Sequence, residues 1–85
     1  INMRINTLVT KSLKKPIDII IEYDEDYYIA RSLDLPLYAC GEDKFEAIQN
    51  IKNELENVYL ELLEDENFSD EWLNYKNFLK SIIID

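Results

Sequence analysis

Ile17-Asp18-Ile19-Ile20-Ile21-Glu22-Tyr23, then Asp24-Glu25-Asp26, then Tyr27-Tyr28-Ile29-Ala30-Arg31-Ser32-Leu33 is the stretch that decides the fold. In the first run Ile17, Ile19, Ile21 and Tyr23 fall on one side of an extended chain, and Asp18, Ile20 and Glu22 on the other. β-branched residues dominate it, which suits a pleated strand. The three acids mark a turn. Residues 27–33 read as the returning strand of a hairpin, with Tyr27, Ile29, Arg31 and Leu33 alternating against Tyr28, Ala30 and Ser32. Asp34-Leu35-Pro36 interrupts that strand, and 37–40 resumes as a short third one, the proline suiting the start of an edge strand.

Upstream, residues 4–9 alternate weakly, with Ile5 and Val9 on one side and Leu8 on the other, until Lys14-Lys15-Pro16 breaks the pattern. Ile1-Asn2 precede Met3 and are read as a cloning remnant. Downstream, Gly41 closes the sheet region. Asp43 is an N-cap and Glu46 completes a capping box with it. Phe45, Ile48, Ile51, Leu55, Val58, Tyr59, Leu62 and Leu63 then recur at helical spacing, predicting a helix over 44–64. Ser69 caps a second helix near 70–82, with Trp72, Tyr75 or Lys76, Leu79 and Ile82-Ile83 as its stripe. Ile82-Ile83-Ile84 is equally readable as a short closing strand. Strands followed by helices predict an α+β domain: a three- to four-stranded antiparallel sheet, one face covered by the long helix, plus a C-terminal helix. The whole of 1–85 is one domain: a basic N-terminal arm or strand (1–15), a βββα core (17–64) and a C-terminal helix (69–85).

Composition narrows the function. The hydrophobic fraction of 47% and ten aromatic residues (six Tyr, three Phe, one Trp) describe a chain that folds. A single glycine leaves no room for a phosphate-cradling loop. There is no histidine, which removes the commonest general base and the usual zinc ligand. Cys40 stands alone, so no internal disulfide forms, and a reducing, cytoplasmic setting is expected. No run approaches a membrane span and no signal peptide is visible, so no membrane role is expected.

The net charge of −9 is unevenly spread. Residues 1–15 hold Arg4, Lys11, Lys14 and Lys15 and no acid, whereas the rest holds all 18 acids and five bases. Phosphate repulsion opposes direct nucleic-acid binding by such a body, and a basic protein partner suits it better. Lys11, Lys14 and Lys15 are read as an arm lying on the acidic body of a second subunit.

Candidate chemistry is thin. Asp24, Glu25, Asp26 and Asp34 sit at strand ends but lack the alternating spacing and mid-loop glycine of a calcium loop. They read as solvated loop acids. Asp18 and Glu22 share a strand face without an environment to split their pKa values. Cys40 has no base to activate it, and Ser12, Ser32 and Ser69 have no histidine. No cofactor or metal is expected. Of Tyr27 and Tyr28, one packs under the helix and the other faces outward, where tyrosine favours interfaces.

Residues 19–30, Leu33-Asp34-Leu35-Pro36, Gly41-Glu42-Asp43 and Glu46-Ala47-Ile48-Gln49-Asn50-Ile51 together resemble the HicB-like antitoxin family over about 17–63. Asp26 and Leu37 stand where that family usually has glycine, and Asp43 where it has threonine. No clear helix-turn-helix or ribbon-helix-helix module follows, so the chain resembles a short form. The resemblance implies a degenerate, non-catalytic ribonuclease H-like sheet. It implies the antitoxin of a type II toxin–antitoxin pair, binding a small basic HicA-type ribonuclease as a homodimer or higher oligomer. The partner surface expected on this reading is Asp24, Glu25, Asp26, Tyr28 and Asp34. The alternatives are an acidic nucleic-acid mimic that inhibits a DNA- or RNA-binding enzyme and, less favoured, a metal-dependent hydrolase using Asp18 or Asp34.

Overall fold

The isoleucine strand is the spine of the sheet. In the computed structural model, which describes residues 1–85, it runs as β2 (Ser12–Asp24), flanked by β1 (Asn2–Thr7) and β3 (Tyr27–Ser32). β4 (Tyr38–Gly41) lies outside β3, and β5 (Ile83–Ile84) pairs with β2. Every pairing is antiparallel. Ser12 meets Thr7 on one side and Ile84 on the other, so β5 continues the β3 side of β2. Two helices complete the α+β fold: α1 (Lys44–Glu64) and α2 (Asp70–Ile82).

Alternation sorts the sheet into two faces. Ile5, Ile17, Ile19, Ile21 and Ala30 point into the core under α1, which adds Ala47, Ile51, Leu55, Tyr59 and Leu62. α2 contributes Leu79 and Ile82, and β5 contributes Ile83. The tail is thus helix to Ile82 and strand at Ile83–Ile84, and the sheet has five strands, one more than the pattern predicts. The other face has no helix over it. There Arg4 pairs with Asp18 at 2.9 Å and Arg31 with Glu22 at 2.7 Å.

Four local departures from the sequence reading have physical reasons. Pro16 does not end a strand: it lies where the β1–β2 register breaks between Ile5 and Thr7, so its missing N–H removes no ladder bond. β1 stops at Thr7, and a tight turn closed by Leu8 N–H donating to Lys11 O swings Leu8 into the core and Val9 out. Residues 1–15 therefore form β1, its turn and the start of β2. Asn2 pairs with Ile20 and belongs to the sheet. On α1, Phe45 and Leu63 lie outside the buried stripe, because the helix presents Ala47, Ile51 and Leu55 to the sheet instead.

The Asp34-Leu35-Pro36 corner is a plug. Leu35 is buried, and Ser32 Oγ accepts its N–H at 3.3 Å, while Leu33 N–H donates to Asp18 O at 3.1 Å. Asp43 caps α1 by accepting Glu46 N–H at 2.7 Å, and the Glu46 carboxylate reaches back to Glu42 N–H at 3.2 Å. Ser69 caps α2 through Trp72 N–H.

Candidate functional site

The strongest candidate surface is the end of the sheet where β2 turns into β3. Asp24 and Tyr27 are the last paired residues, leaving Glu25-Asp26 as a two-residue turn. Glu25 is forced to φ 53°, the left-handed region that glycine normally supplies. Asp24, Glu25 and Asp26 are all exposed, and the chain's ion pairs involve none of them. Beside them Tyr23 is 64% exposed and Tyr27 41%. The Tyr23 and Tyr28 rings pack with centroids 4.9 Å apart, and Lys44 Nζ lies 6.0 Å from the Tyr28 ring. Tyr28 also pairs with Gly41, which brings the start of α1, with exposed Phe45, to this same end.

The five residues singled out from sequence do not form one patch. Asp24, Glu25, Asp26 and Tyr28 come together at the hairpin. Asp34 sits in the corner beyond the far end of β3, about 17 Å away along the strand. Tyr28 is on the helix side and half-buried, so the outward tyrosine is Tyr27. Tyr23 and Phe45 belong to the surface and went unrecognised, because each completes an apolar stripe on paper. Both lie where the covering element runs out.

Strain at the hairpin gives a direct test. A non-glycine residue held left-handed costs about 1–2 kcal/mol, partly offset by the extra chain entropy glycine loses on folding. Glu25→Gly is therefore expected to raise stability by about 0.5–1 kcal/mol, read from urea unfolding midpoints. No gain would mean that the turn relaxes without it.

Other candidate groups are occupied structurally. Asp18 and Glu22 each face an arginine, Ser32 and Ser69 close turns and caps, and the Cys40 backbone carbonyl accepts from Asn50 Nδ2 at 2.7 Å while its thiol is free and exposed. No group of three or more Cys, Asp or Glu side chains is placed to hold a metal ion. No helix is long and apolar enough to cross a membrane.

Two acids with no sequence signal tie the chain together. Glu56 is buried on α1 and accepts from Thr10 N–H and Thr10 Oγ1, both at 2.8 Å. Asp85 accepts from Tyr59 Oη at 2.8 Å and pairs with Lys11 at 2.9 Å. Lys11, read from sequence as free to reach another subunit, is thus held within its own chain. The same contacts draw the Asp85 carboxyl below its ordinary range, Lys11 first and Tyr59 second. Desolvation pushes the Glu56 carboxyl up, yet the Thr10 bonds and the Lys11 charge outweigh it and hold it below its ordinary 4.5.

A depressed folded-state pKa means that the ionised Glu56 contributes stability fully above its unfolded value. That contribution is lost as the pH falls through the folded value. The protein is expected to lose thermal stability as the pH falls below about 4.5, and Glu56→Gln to show a shallower fall there. Parallel curves would exclude Glu56 as a source of the slope.

No family model, no curated protein and no solved structure matches the chain.

Proposed function

We propose that this chain is a non-catalytic protein-binding domain, a short HicB-like antitoxin that neutralises a small basic ribonuclease of HicA type in the cytoplasm. The observation that carries the reading is the hairpin end. Three carboxylates without internal partners stand there beside exposed Tyr23 and Tyr27, one of them on a strained backbone. Tyrosine supplies rigid contact area and a hydroxyl, and a carboxylate rim speeds capture of a cationic enzyme. Strain retained at an exposed tip is characteristic of functional turns. The degenerate ribonuclease H-like descent of the sheet and self-association into dimers or larger oligomers belong to the same proposal. The nucleic-acid mimic is less favoured, because the acids of the open face are neutralised by Arg4 and Arg31 rather than arrayed like phosphates.

The test is growth rescue in cells. Co-expression with a small basic ribonuclease of HicA type, sought first in the adjacent gene, is expected to relieve that protein's toxicity. Asp24→Asn/Glu25→Gln/Asp26→Asn is expected to weaken the complex by about tenfold or more, with the loss shrinking as salt is added. A neighbour that is not toxic, or toxicity that the chain leaves untouched, overturns the antitoxin reading.

A further inference from the structure

α1 ends and α2 begins around a groove of about 310 Å³ whose lining includes Val58, Leu62, Phe68 and Trp72 together with Glu61 and Asp65. Trp72 is half-buried and held edge-on by Tyr75, their centroids 5.1 Å apart. The groove is large enough for a side chain, and its lining combines aromatic and anionic residues.

Its electrostatics are one-sided. Residues 53–75 carry eight acids and neither Lys nor Arg. Neither Glu61 nor Asp65 takes part in the chain's ion pairs. The last turn of α1 has no basic residue, although a helix C-terminus favours cations. The positive pole of α2 is already answered by Ser69, Asp70 and Glu71. What remains is an aromatic groove in a negative field, with Lys76 Nζ against its Phe68 ring as the cation the chain itself supplies.

We propose that this groove receives an arginine or lysine side chain from a cationic protein segment. The cation would lie against Trp72 and meet Glu61 and Asp65, its aliphatic stem covering Val58 and Leu62. Tryptophan is the best aromatic partner for a cation, and carboxylates beside it add charge attraction. Lys76 makes the same kind of contact outside the groove lining, its Nζ 5.1 Å from the Phe68 ring. This inference rests on the reading of a cationic protein partner and adds a second contact, about 25 Å from the hairpin end along α1.

Trp72 is the only tryptophan, so its fluorescence reports on the groove alone. Titrating the full chain with a hexa-arginine peptide is expected to change its emission saturably, and a hexaglutamate peptide to leave it unchanged. Glu61 and Asp65 are exposed, so Glu61→Gln/Asp65→Asn keeps the fold and is expected to weaken the arginine response about tenfold. No saturable change, or an undiminished one in that double variant, overturns the proposal. An emission change that tracks the chain's own concentration and sedimenting mass also overturns it, since a second copy would then occupy the groove. The hairpin variant is expected to keep the groove response, so failure of toxin rescue and failure here are separate results.

Discussion

Gly41→Ala is expected to cost about 3 kcal/mol or more, a large part of the roughly 4–13 kcal/mol that holds a domain of this size together. The glycine has an ordinary backbone conformation, so the reason is contact rather than torsion. A methyl group there would lie 2.3 Å from Ala47 N, 2.8 Å from Glu46 C and 2.9 Å from Ala47 Cα. All three are backbone atoms of the first turns of α1, and no side-chain rotation clears them. Helix and strand would have to part, loosening fully buried Ala47 and the Asn50 bond to Cys40 O. Urea unfolding measures it. A loss below about 1 kcal/mol would mean that α1 shifts more freely than interior packing allows.

The second large effect concerns α2. Leu79 has no exposed surface and sits in the one continuous core with Ile17, Ile19, Ile51 and Leu55. Leu79→Ala removes buried methyl groups and leaves a cavity, which costs about 2–5 kcal/mol. The protein is expected to keep a single cooperative transition at a lower midpoint. Two separate transitions, the first confined to α2 and β5, would instead make the C-terminal segment an appendage.

Much of the fold was legible from local rules. The alternation of 17–23 against 27–33 fixes the hairpin, because a half-buried antiparallel pair has a period of two. Asp43 and Ser69 announce both helices, since their side chains satisfy N–H groups that the helix cannot. The misread positions are those where a tertiary contact outranks the local pattern. Leu8 is buried by a turn and not by strand alternation, and Pro16 survives in a strand because the register slips beside it. Phe45 and Tyr23 continue apolar stripes beyond the elements that cover them. Glu56 looks like any surface acid of α1 until Thr10, far away in the chain, meets it.

The same limit applies to the candidate surface. Its acids are visible in the sequence as Asp24-Glu25-Asp26, but which tyrosine of the neighbouring pair faces outward depends on the side of the sheet α1 takes. In the sequence Asp34 shares with them both its charge and a place at a strand end. The fold puts it at the opposite end.

The pairing of Ser12 and Leu13 with Ile84 and Ile83 has a kinetic corollary. Those partners are separated by about seventy residues, so during synthesis the edge of β2 that β5 covers stays open until nearly all of this sequence has been made. In that interval the Ser12-Leu13 edge is offered to any other nascent copy, with Lys14, Lys15 and Pro16 beside it as the residues that discourage such pairing, and slow translation through α1 and α2 would lengthen its exposure.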